Sequence, residues 1–178
     1  VWRDNLAAPD LKKSVEGSLR KLRTDYVDLL LIHWPSESVP VGESLGAMAE
    51  LKEAGKVRNV GVSNFTTGLL EEAQEVGEVP IFCNQVEYHP YLSQDPVLEC
   101  CRENDILLVA YSPLARAKVF GDPDLQEIGE EHGKNAGQVA LRWLLQQEGV
   151  GAIPKSGNPD HIRSNFGVFD FELSGEQM

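Results

Sequence analysis

Residues 27–33 read Val-Asp-Leu-Leu-Leu-Ile-His, an almost continuous apolar run that predicts a strand buried on both of its faces. A helix precedes this strand and ends near Arg23, because apolar residues recur before it at helical spacing: Leu11, Val15, Leu19 and Leu22. Strands buried on both faces are typical of parallel sheets that helices cover. The start of the chain therefore predicts an α/β fold.

The same alternation continues along the rest of the chain. Further strands are predicted near residues 58–63, 81–87, 106–111 and 150–154, each followed by a helical pattern, with one or two helices between 123 and 147. The chain contains neither a G-x-G-x-x-G fingerprint nor a Walker loop. Strict alternation without an early glycine-rich turn favours a TIM (β/α)8 barrel. We predict a single domain over residues 1–178, an N-terminally truncated barrel portion with about five of the eight strands.

Composition narrows the class of partner. The chain has 178 residues, 42% of them hydrophobic and 25% charged, as in ordinary globular proteins. Its net charge of −12 argues against nucleic acid and anionic membranes as partners. No apolar run approaches the roughly 20 residues of a membrane span, and residues 1–4 do not resemble a signal peptide. We expect a cytoplasmic protein. Two explanations of the acidic composition stay open: adaptation to a salt-rich cytoplasm, or the acidity found in many ordinary proteins.

The three cysteines do not predict a disulfide or a metal site. Cys83, Cys100 and Cys101 are odd in number, and the adjacent pair fits no zinc spacing. We expect reduced thiols, with Cys83 in the core.

Polar or aromatic side chains follow each predicted strand. They are His33-Trp34, Ser63-Asn64, the stretch from Gln85 to His89, Tyr111-Ser112 and Lys155-Ser156. The carboxyl ends of parallel barrel strands meet at one rim, where barrel enzymes place their sites. The sequence therefore predicts a functional site at this rim. Two histidines are given no role: His89 is expected to tie the loop after its strand, and His132 to lie at a solvated helix end.

Five blocks carry a family resemblance along the whole chain. They are Leu31-Ile32-His33-Trp34-Pro35, Gly61-Val62-Ser63-Asn64-Phe65, Asn84-Gln85-Val86-Glu87-Tyr88-His89-Pro90, Tyr111-Ser112-Pro113-Leu114 and Ile153-Pro154-Lys155-Ser156. In order and spacing they resemble the aldo-keto reductase family, most closely its prokaryotic diketogluconate reductase and aldehyde reductase branch. The resemblance implies a monomer that binds NAD(P)H across the barrel rim and reduces a small aldehyde or ketone by hydride transfer.

The resemblance also implies roles at the reacting end. His33 would be the catalytic histidine that orients the carbonyl, and Trp34 would form an apolar wall for the substrate. The family's tyrosine, lysine and aspartate are expected before Val1, and a substrate-covering loop after Met178. On this view the chain by itself would bind nucleotide poorly and would be inactive. A partial barrel whose sheet has two unpaired edge strands is also expected to aggregate or to form domain-swapped oligomers.

Ten residues are implied in cofactor binding. Ser63, Asn64 and Gln85 would meet the nicotinamide carboxamide, with strand-end capping as the alternative reading. Tyr111 would stack on the nicotinamide ring, with ordinary packing as the alternative. Ser112 and Leu114, in a loop that extends to Ala117, would meet the pyrophosphate. The adenosine end would be held by Lys155, Ser156, His161 and Asn165.

Two departures from the family pattern bear on the choice of cofactor. His161 stands where the family has an arginine, and Ser164 stands where it has an acidic residue. Histidine carries little charge near pH 7, whereas the guanidinium group of arginine is permanently charged and can bind phosphate through two N–H groups. NADPH is the expected cofactor and NADH is plausible, with Arg163 as a compensating cation.

Two other classes stay open. One is a non-catalytic, nicotinamide-nucleotide-binding regulatory subunit, and the other is a degenerate fragment. If a protein that also carries the family's catalytic tyrosine turns over substrate, the enzyme class is supported against both alternatives.

Overall fold

The computed structural model describes residues 1–178, which divide into two compact units. Unit 1 comprises Val1–Gln85 and Pro96–Leu107, and unit 2 comprises Val86–Asp95 and Leu108–Met178. The single domain inferred from the sequence stays a prediction.

Unit 1 alternates helices with parallel strands. Its elements are α1 (Ala8–Leu22), β1 (Val27–Ile32), α2 (Val41–Glu53), β2 (Val57–Ser63), α3 (Thr67–Val76), most of β3 (Ile81–Glu87) and most of α4 (Asp95–Glu103). The register places Ile32 beside Val62, and Ser63 beside Gln85. The ends of the three strands thus fall at the same level of the sheet, as the sequence predicts.

Unit 2 continues the alternation. Its elements are the end of β3, most of β4 (Leu107–Tyr111), a kinked 3-10 segment (Ala115–Gly121), α5 (Pro123–His132), α6 (Ala136–Leu145), β5 (Val150–Ala152) and α7 (Pro159–Phe166). Strands β4 and β5 are parallel, with Leu108 beside Val150. The segment predicted as one or two helices is two. Strand β5 stops before the predicted residue 154, because Pro154 has no N–H to donate to a neighbour.

The apolar face of the first helix is the one predicted, with one exception. Leu11, Val15 and Leu19 of α1 are buried, as are Leu45, Met48 and Leu51 of α2. Leu22 was expected on the buried face but is 63% exposed. Helix α1 ends at Arg23 in the left-handed conformation, φ 57°, and the chain leaves the core there.

The prediction that β1 is buried on both faces is wrong for this structure. Leu30 and Ile32 pack against the core of unit 1, whereas Leu29, on the opposite face, is exposed. Asp28 is also exposed and forms an ion pair with Arg58, at 2.6 Å. Within β1 only Ile32 is fully buried, and Val27 and Leu30 are partly buried against the core of unit 1.

All three thiols are free, as predicted, and Cys83 lies in the core. Burial raises the pKa of Cys83 to about 11 and that of Cys101 to about 12. No helix combines the length and the apolar character that crossing a membrane requires.

We expect native alkylation to reach Cys100 alone. Cys83 and Cys101 are buried and stay protonated at mildly alkaline pH, so neither sulfur reacts with iodoacetamide. Mass spectrometry should show at most one adduct in buffer and three in concentrated guanidinium chloride. Modification of Cys83 in the native state would contradict the packing of β3.

Candidate functional site

His33 is held at the end of β1 by three neighbours in unit 1. Its backbone N–H donates to the Val1 carbonyl at 2.9 Å, and its carbonyl accepts from Nδ2 of Asn64 at 3.0 Å. The Trp2 ring meets the imidazole edge-on, with centroids 5.2 Å apart. The ring of Trp34 next to it is 40% exposed. The Trp2 ring thus packs against one edge of the imidazole, while His33 and Trp34 are both exposed.

Ser63 and Asn64 connect the ends of neighbouring strands. The buried hydroxyl of Ser63 donates to the Gln85 carbonyl at 2.7 Å and accepts from Nδ2 of Asn64 at 3.1 Å. The backbone N–H of Asn64 also donates to the Gln85 carbonyl, at 2.9 Å, from a left-handed conformation of φ 63°. This is strand-end capping, the alternative reading of these residues. Their role toward a carboxamide stays a prediction.

Two residues that shape this end of unit 1, Trp2 and Asn84, were assigned no role from the sequence. Trp2 packs against His33, as above. Asn84 is fully buried, and its amide donates to the Phe65 carbonyl at 2.9 Å and accepts from the Phe65 N–H. Asn84 thereby fixes the start of the loop that follows β2.

A pocket of about 700 Å³ lies in unit 2 at the carboxyl ends of β4 and β5. Its lining residues are Ser112, Pro113, Leu114, Arg116, Ala117, Phe120, Asn135, Ile153, Pro154, Lys155, Ser156, His161, Ser164 and Asn165. Six of the seven cofactor residues predicted within unit 2 are in this set, and the seventh, Tyr111, directly precedes it. Residues up to 53 positions apart in the chain therefore line one concavity, as the convergence of parallel strand ends predicts.

The charge of the pocket is opposite to that of the chain. Arg116 and Lys155 line it, and no Asp or Glu does, although 28 of the 178 residues are acidic. Neither Lys155 nor Arg116 forms an ion pair within unit 2. Such a lining suits an anionic ligand that carries phosphates.

The loop after β4 reaches the pocket through an unusual backbone. Ser112, Ala115, Arg116 and Ala117 all have positive φ, between 46° and 73°. Left-handed conformations are unfavourable for residues with a Cβ, and such residues cluster at ligand sites. Arg116 enters the pocket because of this turn. The sequence located the loop but gave no signal for the direction of Arg116.

Helix α6 and helix α7 meet at the other wall. Asn135 caps α6, and its Nδ2 donates to Oγ of Ser164 at 3.0 Å. Gln138 donates to the carbonyls of Ser164 and Gly167, at 3.0 and 2.9 Å. Ser164, which stands where the resemblance implies an acid, is thus tied to α6. Asn135 was missed because its partner lies 29 residues away.

Tyr111 is half-buried at the end of β4, and its carbonyl accepts from the Tyr88 N–H at 3.3 Å. Burial, and secondarily the charge of Glu87, raise the pKa of Tyr111. The phenol therefore stays neutral at physiological pH and offers an uncharged ring.

The sequence also predicted the surroundings or roles of three further residues, Arg163, His89 and His132. Arg163 pairs with Asp160 at 2.8 Å and does not line the pocket, so it is not placed to compensate for His161. His89 ties its loop as predicted, since Nδ1 accepts from the Tyr91 N–H at 3.3 Å. The prediction for His132 is wrong: it is half-buried, contacts the ring of Phe171 and lies 3.2 Å from the Gln177 amide oxygen. The segment after α7 folds back and covers it.

Parallel strands that alternate with helices, and a pocket at the strand ends, define this chain as part of a (β/α)8 barrel. Comparison with known proteins agrees. The model of the Aldo/keto reductase family matches residues 1–178. Glyoxal reductase of Bacillus subtilis is 40% identical over 178 residues, which are the whole chain and 64% of the relative's length.

Solved structures give the same result. A protein provisionally described as 2,5-diketo-D-gluconic acid reductase B superposes with a TM-score of 0.98 at 50% identity, covering 100% of this chain and 63% of the other. An aldo/keto reductase from Klebsiella pneumoniae, solved with NADP and acetate, gives a TM-score of 0.92 at 31% identity, covering 99% and 65%. The chain belongs to the aldo/keto reductase family, and the barrel fold and the family resemblance inferred from the sequence are confirmed.

Proposed function

We propose that the chain carries the nicotinamide-nucleotide-binding part of an oxidoreductase that reduces aldehydes or ketones to alcohols. The observation that carries this proposal is the acid-free, cationic pocket of about 700 Å³ in an otherwise acidic chain. Family membership and the NADP complex of the Klebsiella pneumoniae relative support it. When bound, the reduced nucleotide would supply the hydride that reduces the carbonyl group.

Within the pocket we assign the two phosphate-bearing parts of the nucleotide to different walls. Lys155 and Ser156, with His161 and Asn165, would hold the adenosine end and its 2′-phosphate. Ser112, Leu114 and the neighbouring loop would hold the pyrophosphate through backbone and hydroxyl donors. NADPH is the proposed cofactor, with NADH as a second substrate of the same pocket.

At the end of β1 we assign His33 to the substrate carbonyl. A hydrogen bond from an imidazole N–H to the carbonyl oxygen polarises the C=O bond and favours hydride attack on the carbon. The contact with Trp2 covers one edge of the ring, and Trp34 would exclude water beside it. Ser63, Asn64 and Gln85 are the proposed contacts of the nicotinamide carboxamide. Of these three side chains, only that of Gln85 makes no hydrogen bond within unit 1.

We also propose that the 178-residue chain by itself does not turn over. The unit that holds His33 contains one tyrosine, Tyr26. It precedes β1 whereas His33 follows it, so six strand residues, or about 20 Å, separate them. No phenol in unit 1 can therefore protonate a carbonyl bound to His33.

The test compares the chain with a chimera in which the residues that precede the matched region of Bacillus subtilis glyoxal reductase are fused before Val1. Calorimetric titration should show NADPH binding by both proteins, with weaker binding by the chain than by the chimera. Oxidation of NADPH by glyoxal-type aldehydes should occur with the chimera alone. Binding without turnover by the chimera would favour the regulatory subunit, and absence of binding by both would refute the proposal.

Replacing His161 with arginine should raise the preference for NADPH over NADH. The permanently charged, bidentate guanidinium would add a contact to the 2′-phosphate that an imidazole cannot make. Because residue 161 is exposed, we expect a moderate gain, about fivefold in the ratio of dissociation constants. The ratio is measured by parallel titrations with the two nucleotides. An equal gain for NADH would place residue 161 near another phosphate.

A further inference from the structure

We propose that Tyr91 is a positioning residue that latches the pyrophosphate-facing loop of the pocket through Asp122. This inference rests on the proposed function, because it concerns how the same pocket holds its nucleotide. The loop in question is the kinked segment Ala115–Gly121, called here the pocket loop.

The pocket loop requires an external support. Ala115, Arg116 and Ala117 are three consecutive left-handed residues, a conformation that costs free energy at each residue with a Cβ. Arg116, Ala117 and Phe120 of the same loop line the pocket. Because the backbone is unfavourable by itself, contacts from outside the loop must keep these residues in place.

The support comes from the segment that follows β3, within unit 2. The Tyr91 hydroxyl donates to Oδ2 of Asp122, directly after the loop, at 2.7 Å. Nζ of Lys118 lies 4.6 Å from the centroid of the Tyr91 ring. One side chain thus contacts the middle of the loop and its end.

Asp122 connects this latch to helix α5. Its Oδ1 accepts from the N–H groups of Asp124 and Leu125, so Asp122 caps the helix with one oxygen and holds Tyr91 with the other. The hydrogen bond from Tyr91 is the main cause that lowers the pKa of Asp122, and the cap adds to it. Gln126 of α5 also donates to the Phe120 carbonyl, at 2.7 Å. The end of the loop is therefore anchored to helix α5, and Tyr91 contacts the loop at Lys118 and the residue that follows it at Asp122.

The arrangement makes a selective prediction. The latch acts on the wall assigned to the pyrophosphate and not on Lys155 or Ser156, which follow β5. Loss of the latch should weaken ligands that contain a pyrophosphate and spare ligands that occupy the adenosine end alone. A general structural role for Tyr91 would weaken both kinds of ligand equally.

The experiment titrates NADPH and adenosine 2′-monophosphate, which has no phosphate at the 5′ position, into the 178-residue chain by calorimetry. Tyr91→Phe keeps the ring beneath Lys118 and removes only the hydroxyl. We expect its dissociation constant for NADPH to rise roughly tenfold, the scale of one hydrogen bond to a charged group. The constant for adenosine 2′-monophosphate should stay within about twofold.

A second variant separates the latch from folding. Asp122→Ser retains a good helix cap but is too short to reach Tyr91, so it should reproduce the effect of Tyr91→Phe, and the double variant should add little. Equal weakening of both ligands, or unchanged NADPH binding, would overturn the latch. Failure of the unaltered chain to bind either ligand would refute the proposed function and the latch with it.

Discussion

Lys155→Met is expected to weaken NADPH binding roughly tenfold, because it removes a charge-assisted phosphate contact that water partly screens at this exposed side chain. Lys155 lines the pocket and forms no ion pair within unit 2, so its charge is available to a ligand. Methionine retains the apolar stem of lysine, which limits the change to the ammonium group. Calorimetric titration of the 178-residue chain measures the difference.

Two comparisons make this prediction specific. Arg163→Met removes a cation from helix α7 that pairs with Asp160 outside the pocket, so it controls for net charge and should change NADPH binding less than twofold. NADH lacks the 2′-phosphate and should be weakened much less than NADPH by Lys155→Met. Equal losses for the two nucleotides would assign Lys155 to the pyrophosphate instead.

Gly61→Ala should destabilise the chain by about 1–3 kcal/mol or more through overpacking. A Cβ at this position would lie 2.7 Å from Cδ2 of Leu31 and 2.9 Å from both the carbonyl oxygen and Sγ of Cys83. The carbonyl belongs to β3, so it can move only if the sheet moves. The free energy of unfolding, measured in urea, should fall accordingly.

Gly46 provides the matched control. It lies within α2, and a Cβ there would meet no atom within 4 Å. Gly46→Ala should therefore stabilise the chain by roughly 0.5–1 kcal/mol, the difference between the two residues in a helix interior. A Gly61→Ala chain as stable as the parent would show that strands β1 and β3 pack less closely around Gly61 than described.

Much of the pocket could be predicted from the sequence because it depends on local pattern and on topology. The apolar runs of the strands and the capped helices between them are local signals. Parallel strands then bring their carboxyl ends to one level. That is why Lys155 and Ser156 were correctly grouped with Ser112 and Leu114, although 40 residues of chain lie between the two loops.

Several residues lay beyond sequence reasoning because their partners are distant and their directions depend on backbone conformation. The hydrogen bond from Tyr91 to Asp122 spans 31 residues, and that from Asn135 to Ser164 spans 29. Arg116 points into the pocket through a run of left-handed residues that no pattern in Ala115-Arg116-Ala117 indicates. His132 was misjudged because a distant segment, with Phe171 and Gln177, folds over it.

By itself, the sequence determined the order of strands and helices, the residues at the strand ends and the resemblance to the aldo/keto reductases, since each depends on residues close together in the chain. The tertiary structure alone decided which strand faces are covered, which cations share a concavity without acids, and how the pocket loop is supported. These features depend on contacts between segments far apart in sequence, and the free energy of such contacts is set by packing geometry rather than by residue type.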